Sequence, residues 1–308
     1  MRDRALQREE PGLLDQSRFP NFITRSEIKL RLTAAEAEDF LGEVKRHLPV
    51  YCYSPGRETT FVTTVYFDTE DFRFYSRASK FRDDNLKLRL KEYYYEVPEG
   101  YEVFPECWIE VKRRLGESTS KHRFRVAKVL VQRLFSGEDC FIEIYKSNRE
   151  LAAEDVRKVF DTFLGVVRTY DLRPYSITNY RRRTFQEAGD ESLRVTIDDM
   201  IAYFRAPAVL YNGIVALTRG VLGEACGQQK HTVVEIKAAR ERPAWLNALL
   251  DRFPQSHFSK FLTSTQALLR GVQGSAMSVT ELVVRTGAEA RGTRPEGEGR
   301  IIPRRADA

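Results

Sequence analysis

Apolar and polar positions alternate in eight runs of this chain. The alternation predicts β-strands over 24–32, 60–68, 84–95, 104–114, 119–126, 175–186, 192–205 and 231–239. Side chains two apart share one face of a strand. In 84–95, Leu86, Leu88 and Leu90 therefore oppose Lys87, Arg89 and Lys91; in 119–126, Phe124 and Val126 oppose Lys121, Arg123 and Arg125. The same sorting sets Ile28, Leu30 and Leu32 against Arg25, Glu27, Lys29 and Arg31. It sets Val195 and Ile197 against Arg194, Thr196 and Asp198, and Val234 and Ile236 against Glu235 and Lys237.

Helical periodicity takes over at 33–48, 127–135, 150–163, 243–252 and 258–271. Thr33, with Glu36 three residues on, forms a capping-box pattern, and Pro243 suits a first helical turn. Segment 206–230 holds several glycines and reads as irregular. This pattern predicts an α+β fold: a closed antiparallel eight-stranded β-barrel, forming a tunnel, with helices packed outside. No linker divides it. One domain is expected over 21–274, between a flexible N-terminal segment at 1–20 and a disordered tail at 275–308.

Charge sharpens this picture. The chain's net charge is +6, while 1–20 is neutral and 275–308 carries six Arg against five acids. The excess therefore sits in the fold, and a polyanion would be met there rather than by a basic tail. The four cysteines are far apart with no CxxC pair, which speaks against a zinc or disulfide framework. No apolar run approaches the roughly 18–20 residues that cross a bilayer, and no signal-peptide pattern opens the chain, so a cytoplasmic protein is expected.

An amphipathic sheet with a solvated polar face is the ordinary reading of any one of these strands. Across the set, Lys and Arg recur where a solvated face would mix in Ser, Thr, Asn and Gln. If the apolar face meets the outer helices, these cations converge on a lumen, which is costly unless an anion fills it. Converging Arg and Lys point to an extended polyanion: a polyphosphate, a nucleoside triphosphate or an RNA end. Sparse carboxylates among them suit a divalent cation that bridges phosphates.

The residues that carry these features also carry a resemblance. RSEIKL (25–30), TTVYFDT (63–69), NLKLRLKEYY (85–94), WIEVKRR (108–114), SKHRFRV (120–126), RPYSITNYRRRTF (173–185), LRVTIDDMIAY (193–203), VVEIKAAR (233–240) and FSKFL (258–262) occur in that order. In them the chain resembles the polyphosphate polymerase domain of the vacuolar transporter chaperone (VTC) type, within the triphosphate tunnel metalloenzyme (CYTH-like) superfamily. The related adenylate cyclase and thiamine triphosphatase branch opens on ExExK; here Arg25 stands for the first Glu, which favours the polymerase branch.

The resemblance implies roles. Lys29, Lys87, Arg89, Lys112, Lys121 and Arg123 would line the tunnel and hold phosphates. Arg182 and Arg194 would hold the terminal phosphoryl region, Glu235 would be the main metal ligand, and Lys237 and Lys260 would stand beside it. Glu27 and Glu110 would assist the metal or serve as intra-sheet partners for Lys and Arg, and both readings stay open. So do the choice between Lys87 and Lys91 beside Arg89, and a register slip that would exchange Arg182 with Arg181 and Arg183. Tyr93–Tyr95 read most simply as packing, His122 as outward-facing, and Asp68 as a cap for the following turn.

The expected activity is phosphoryl transfer from ATP to a growing polyphosphate chain, with Mn²⁺ or Mg²⁺. The alternatives are hydrolysis of an inorganic, nucleotide or RNA 5′ triphosphate, and non-catalytic polyphosphate binding. DNA is not an expected partner, because the charges lie inside a sheet rather than along an exposed face. Such relatives carry a phosphoinositide-sensing or membrane portion, and this chain is expected to have neither.

Overall fold

Each alternating run forms a strand in the computed structural model, which describes residues 26–81, 83–116 and 118–273. The expectations for 1–20, 275–308 and Arg25 lie outside the described residues. In chain order the strands are β1 (Ser26–Leu32), β2 (Thr59–Asp68), β3 (Asp84–Val97), β4 (Gly100–Val103), β5 (Glu106–Leu115), β6 (Ser118–Ala127), β7 (Arg173–Phe185), β8 (Leu193–Arg205), β9 (Gly227–Gln228) and β10 (Thr232–Ala238). The helices are α1 (Ala34–His47), α2 (Arg73–Lys80), α3 (Val131–Phe135), α4 (Phe141–Ser147), α5 (Ala153–Thr169), α6 (Ala244–Leu250) and α7 (Lys260–Gln273).

One antiparallel sheet runs β1-β10-β8-β7-β2-β3-β5-β6, with β4 added to β3 and β9 to β8. The expected closed barrel is corrected here: β1 and β6 do not pair. Each edge has another partner instead. Ser256 donates its backbone N–H to the Lys29 carbonyl at 2.7 Å, and the Asn148 amide exchanges hydrogen bonds with both backbone groups of Arg125 at 2.9 Å each. An edge so occupied cannot also extend a ladder.

The open sheet nonetheless curls into a tunnel-like trough. Lys112 on β5 lies 4.0 Å from Glu27 on β1, although five strands separate them in the sheet. Flat, those six spacings would span roughly 29 Å.

Two apolar cores cover the convex face. Leu86, Leu88, Ile109, Phe124 and Val126 pack with Phe160 and Phe163 of α5, while Leu30, Ile197, Val234 and Ile236 pack with Phe40 and Val44 of α1 and Leu246 of α6. The helices α1, α5, α6 and α7 fall where the periodicity placed them, and the Thr33–Glu36 capping box is formed. Irregular segment 206–226 is pinned to the convex side by buried Glu92, which accepts from Lys128, from the Leu217 N–H at 2.9 Å and from the Tyr211 hydroxyl at 3.2 Å. The helix α7 lies instead against the polar face: Ser264 meets Ser176 at 2.9 Å, and Phe261 meets Tyr66 with ring centres 5.1 Å apart. No helix among the described residues is long and apolar enough to cross a membrane.

One irregularity sets the polar face. Between Asn179 and Arg181 the β7–β8 register shifts by one residue, and Met200 on β8 takes the left-handed conformation at φ 51°. This bulge resets the alternation. Asp198 and Tyr203 both pair with residues of the polar face although an odd number of positions separates them. Arg219 clamps the bulge, donating to the Asn179 side chain at 2.9 Å and to the Met200 carbonyl.

Candidate functional site

Cross-strand partners share a face, so the register orders the polar side chains into rows. On the β3–β5–β6 side one row is Lys87, Lys112 and Lys121, and the next is Arg89, Glu110 and Arg123. Beyond them lies a row of Lys91, Trp108 and Arg125. On the β1–β10–β8 side one row is Glu27, Lys237 and Arg194, and the next is Lys29, Glu235 and Thr196. Then comes Asp198, with Arg182 of β7 opposite. Every basic residue that the sequence nominated on these strands stands on this face. Lys260, from the first turn of α7, joins them.

Four carboxylates punctuate the face in three settings. Glu110 is fully buried and gripped by Arg89 at 2.6 Å, Lys91 at 3.4 Å and Lys121 at 3.7 Å. Burial would raise its carboxyl, but Arg89, Lys91 and Lys121 outweigh that and hold it well below the usual range. Asp198 is also fully buried. It takes both Arg182 hydrogen bonds, at 2.6 and 2.8 Å, and the Lys260 ammonium at 2.6 Å.

Glu27 and Glu235 form the third setting. Each is tied to the lysine two residues on, Glu27 to Lys29 at 2.7 Å and Glu235 to Lys237 at 2.6 Å, and each feels the other's charge. Burial opposes ionisation of Glu235; Lys237, Lys29, Lys260 and Arg182 reverse this and hold it well below the ordinary carboxylate range.

Cations remain in surplus, and the lysines register it. Burial first, then Lys112, Arg89 and Lys29, push Lys87 down to about 7. Lys121 falls to about 8 through burial and its neighbours Arg123, Lys237 and Arg89, which outweigh Glu110. Lys91, buried beside Arg89, is held well below the lysine range. Buried lysines whose charge is disfavoured by neighbouring cations mark this part of the face as one an anion would stabilise.

Arg194 stands apart from Arg182. It bonds Gln186 and lies 3.6 Å from Glu191, on the far side of the Glu235 row. The register of β7 on β2, unbroken through this stretch, answers the question left open by the sequence, turning Arg182 inward with Tyr180 and Thr178. The β8 bulge sets Asp198 opposite Arg182 and leaves Arg181 and Arg183 to Asp199 at 2.8 and 3.4 Å. Lys87 and Lys91 both flank Arg89 on the inner face. Asp68 caps α2, accepting the Phe74 and Tyr75 N–H groups at 2.8 and 2.9 Å. His122 pairs with Val111 and so faces outward. Tyr94 packs on Phe61 with ring centres 5.3 Å apart.

Sequence reasoning placed Asp198 on the right face and missed its part. The signal lay in Asp198-Asp199, two acids in a strand otherwise alternating cleanly, four positions from Arg194. Tyr66 and Tyr180 were missed as well; both are buried on this face, with Lys260 4.7 Å from the Tyr180 ring centre.

A divalent cation was expected here. Among the described residues no group of three or more His, Cys, Asp or Glu side chains converges, and Glu110 sits apart, inside its own cage of cations. The paired Glu27 and Glu235 remain an oxygen-only donor set. It fits a hard cation that takes one or two carboxylates and completes its shell with water and phosphate oxygens.

Comparison with known proteins places the geometry in context. The family described as VTC domain matches residues 24–269. Vacuolar transporter chaperone complex subunit 4 of Schizosaccharomyces pombe is 23% identical over 255 residues, covering 73% of this chain and 34% of that protein. The subunit 4 of Trypanosoma brucei brucei is 25% identical over 256 residues, covering 72% and 31%. The chain thus spans about a third of the length of these relatives. Among solved structures, a putative adenylate cyclase from Bacillus halodurans is similar at 10% identity and a TM-score of 0.43, covering 78% of this chain and 97% of that one.

Proposed function

Because the chain belongs to the VTC domain family, we propose that its basic trough performs metal-dependent phosphoryl transfer on condensed phosphate, with polyphosphate synthesis from ATP as the reaction. The observation that carries this reading is the Glu27–Glu235 carboxylate pair, set among Lys29, Lys237, Lys112 and Lys260 on the inner face of a curled sheet. Carboxylates in such a setting are poor ligands for an anion by themselves. With a cation between them and the phosphates they become part of its site.

Glu235 and Glu27 would hold Mg²⁺ or Mn²⁺, which would supply charge neutralisation for the phosphates. The chain's own residues position the reactants. The Glu235 row lies between the row of Arg182 and the row that Arg194 shares with Glu27, so the two arginines flank Glu235 and would grip the terminal phosphoryl region from both sides. Lys87, Arg89, Lys112, Lys121 and Arg123 would hold the remaining phosphates along the opposite wall. Phosphoryl transfer draws its catalysis from in-line positioning and charge neutralisation. A phosphate oxygen at the end of a growing chain is already an anion and can attack without a general base.

The assay is direct. Purified protein is incubated with ATP and Mn²⁺, and the products are resolved by length. Long phosphate chains support the polymerase reading; orthophosphate alone supports a triphosphatase; binding of polyphosphate with no turnover reduces the protein to a binding module. The relatives are named as subunits of a complex, and we extend to this chain the proposal that it works beside other subunits.

A further inference from the structure

One cluster near this face has no part in the chemistry above. The inner-face row of Arg182 continues across β2 through Thr60. Tyr95 of β3 comes next, its hydroxyl hydrogen-bonded to Thr60. Here the lining changes from cations to rings. Tyr95 is buried and meets Phe104 edge-on with ring centres 5.9 Å apart. Beyond the start of β2 the chain segment before it takes over the ladder, with the Tyr51 N–H donating to the Thr184 carbonyl at 2.8 Å. Tyr51 in turn meets Tyr53 edge-on at 5.0 Å. The two halves of the cluster adjoin: besides burial, Glu102, Tyr53 and Cys52 are near enough to raise the Tyr95 phenol. An Arg57–Glu102 pair at 3.1 Å fastens the Tyr53 loop to β4.

The outermost rings are open to solvent, Tyr53 at 51% and Phe104 at 38%. Exposed aromatic rings in edge-to-face pairs keep ring faces available for a flat partner. Two strand spacings, roughly 10 Å, separate Arg182 from Tyr95 along the row. A ligand whose phosphates are held at Arg182 therefore has a ring-lined exit within reach, and a nucleoside is the part of a nucleotide that would occupy it.

We propose that the exposed Tyr53 and Phe104 rings, on either side of buried Tyr95, form a nucleoside-stacking platform. It takes the base of a nucleoside triphosphate whose phosphates lie in the trough, so that the protein prefers a nucleotide to inorganic triphosphate. The site rests on the reading of the trough as a triphosphate site. Stacking is tolerant of base identity, because every base presents a π face. The platform therefore selects for the presence of a base and ranks purines, with their larger rings, above pyrimidines.

Calorimetric titration of the full chain with ATP and, separately, with inorganic triphosphate tests this, for the wild type, Tyr53→Ala, Tyr53→Phe and the Tyr53→Ala/Phe104→Ala pair. The expected result is an ATP Kd raised at least about fivefold by Tyr53→Ala and further by the pair, with the inorganic triphosphate Kd within twofold of wild type. Tyr53→Phe keeps the ring and the ATP affinity. Equal affinity of the wild type for both ligands, or ATP affinity unmoved by ring loss, overturns the platform and leaves the trough reading intact. Equal weakening of both ligands shows the rings to be structural and overturns it too. If the wild type binds neither ligand, the trough reading falls and the platform with it.

Discussion

Arg182 and Asp198 face each other across β7 and β8 as a two-bond pair, Nε to Oδ1 at 2.6 Å and Nη2 to Oδ2 at 2.8 Å, and Lys260 closes on the same carboxylate from α7. Burial alone would raise the Asp198 carboxyl, yet Arg182 and Lys260 keep it below its ordinary value. This carboxylate is thereby the brace that fixes both cations, and α7 to the sheet.

Asp198→Asn removes the counter-charge and strands two buried cations. Loss of one partner of a buried pair costs about 3–5 kcal/mol, or roughly 10 °C in Tm for a domain of this size. Thermal melts should show that drop, with part of it recovered when inorganic triphosphate is added. A variant as stable as wild type without ligand would mean that Asp198 is not the brace.

Lys87 near 7 and Lys121 near 8 lie below the value of about 10.4 for a lysine in an unfolded chain. Below about pH 7 both states carry these protons, and the repulsion between cations weighs fully on the fold. Between about pH 7 and 10 the unfolded chain holds more protons than the folded one, so these groups make the ligand-free protein more stable as pH rises. A bound polyanion restores the lysine charges. Triphosphate binding at pH 8.5 should therefore take up protons, seen as a binding enthalpy that changes between two buffers of different ionisation heat. Proton release on binding would contradict the assignment.

Glu235→Gln keeps the side chain's shape and removes its charge. Metal-dependent turnover should fall by about 10²–10³, equivalent to roughly 2.7–4 kcal/mol at the transition state. Affinity for triphosphate without metal should hold or rise, since a repelling carboxylate is gone. Full turnover in this variant would remove Glu235 from the metal site.

The Met200 bulge gives a prediction of opposite sign. A left-handed residue with a side chain is strained by about 1–2 kcal/mol, which glycine avoids at some cost in chain entropy. Met200 is about half exposed, so little packing is lost. Met200→Gly should leave activity unchanged and raise stability by up to about 1 kcal/mol in urea melts. A clear loss would show that the methionine side chain, rather than the Arg219 clamp, holds the bulge.

The sequence was most legible where one rule governed it. Strict alternation located the eight long strands and, up to the bulge in β8, their faces, because a slip by one residue would have buried Lys87 and exposed Leu88. Two classes of feature escaped. The short helices α2 and α4 and the strands β4 and β9 are too brief for a period to show, although the Asp68 cap at the start of α2 was legible. Closure and pairing are tertiary properties. That Asn148 would occupy the β6 edge, or that Asp198 would take both Arg182 and Lys260, follows from chain segments far apart in sequence. The Met200 bulge hid in an unbroken strand pattern, since the Asp198-Asp199 pair reads equally as two solvated acids.

The most direct measurement is a crystal structure of the protein with inorganic triphosphate and Mn²⁺. The account predicts phosphates inside the curl, contacted by Lys87, Arg89 and Lys112 on one wall and Arg182 on the other, with the metal between them and Glu235. Phosphates bound only on the convex surface, or a metal seated away from Glu235 with the inner cations untouched, would contradict it.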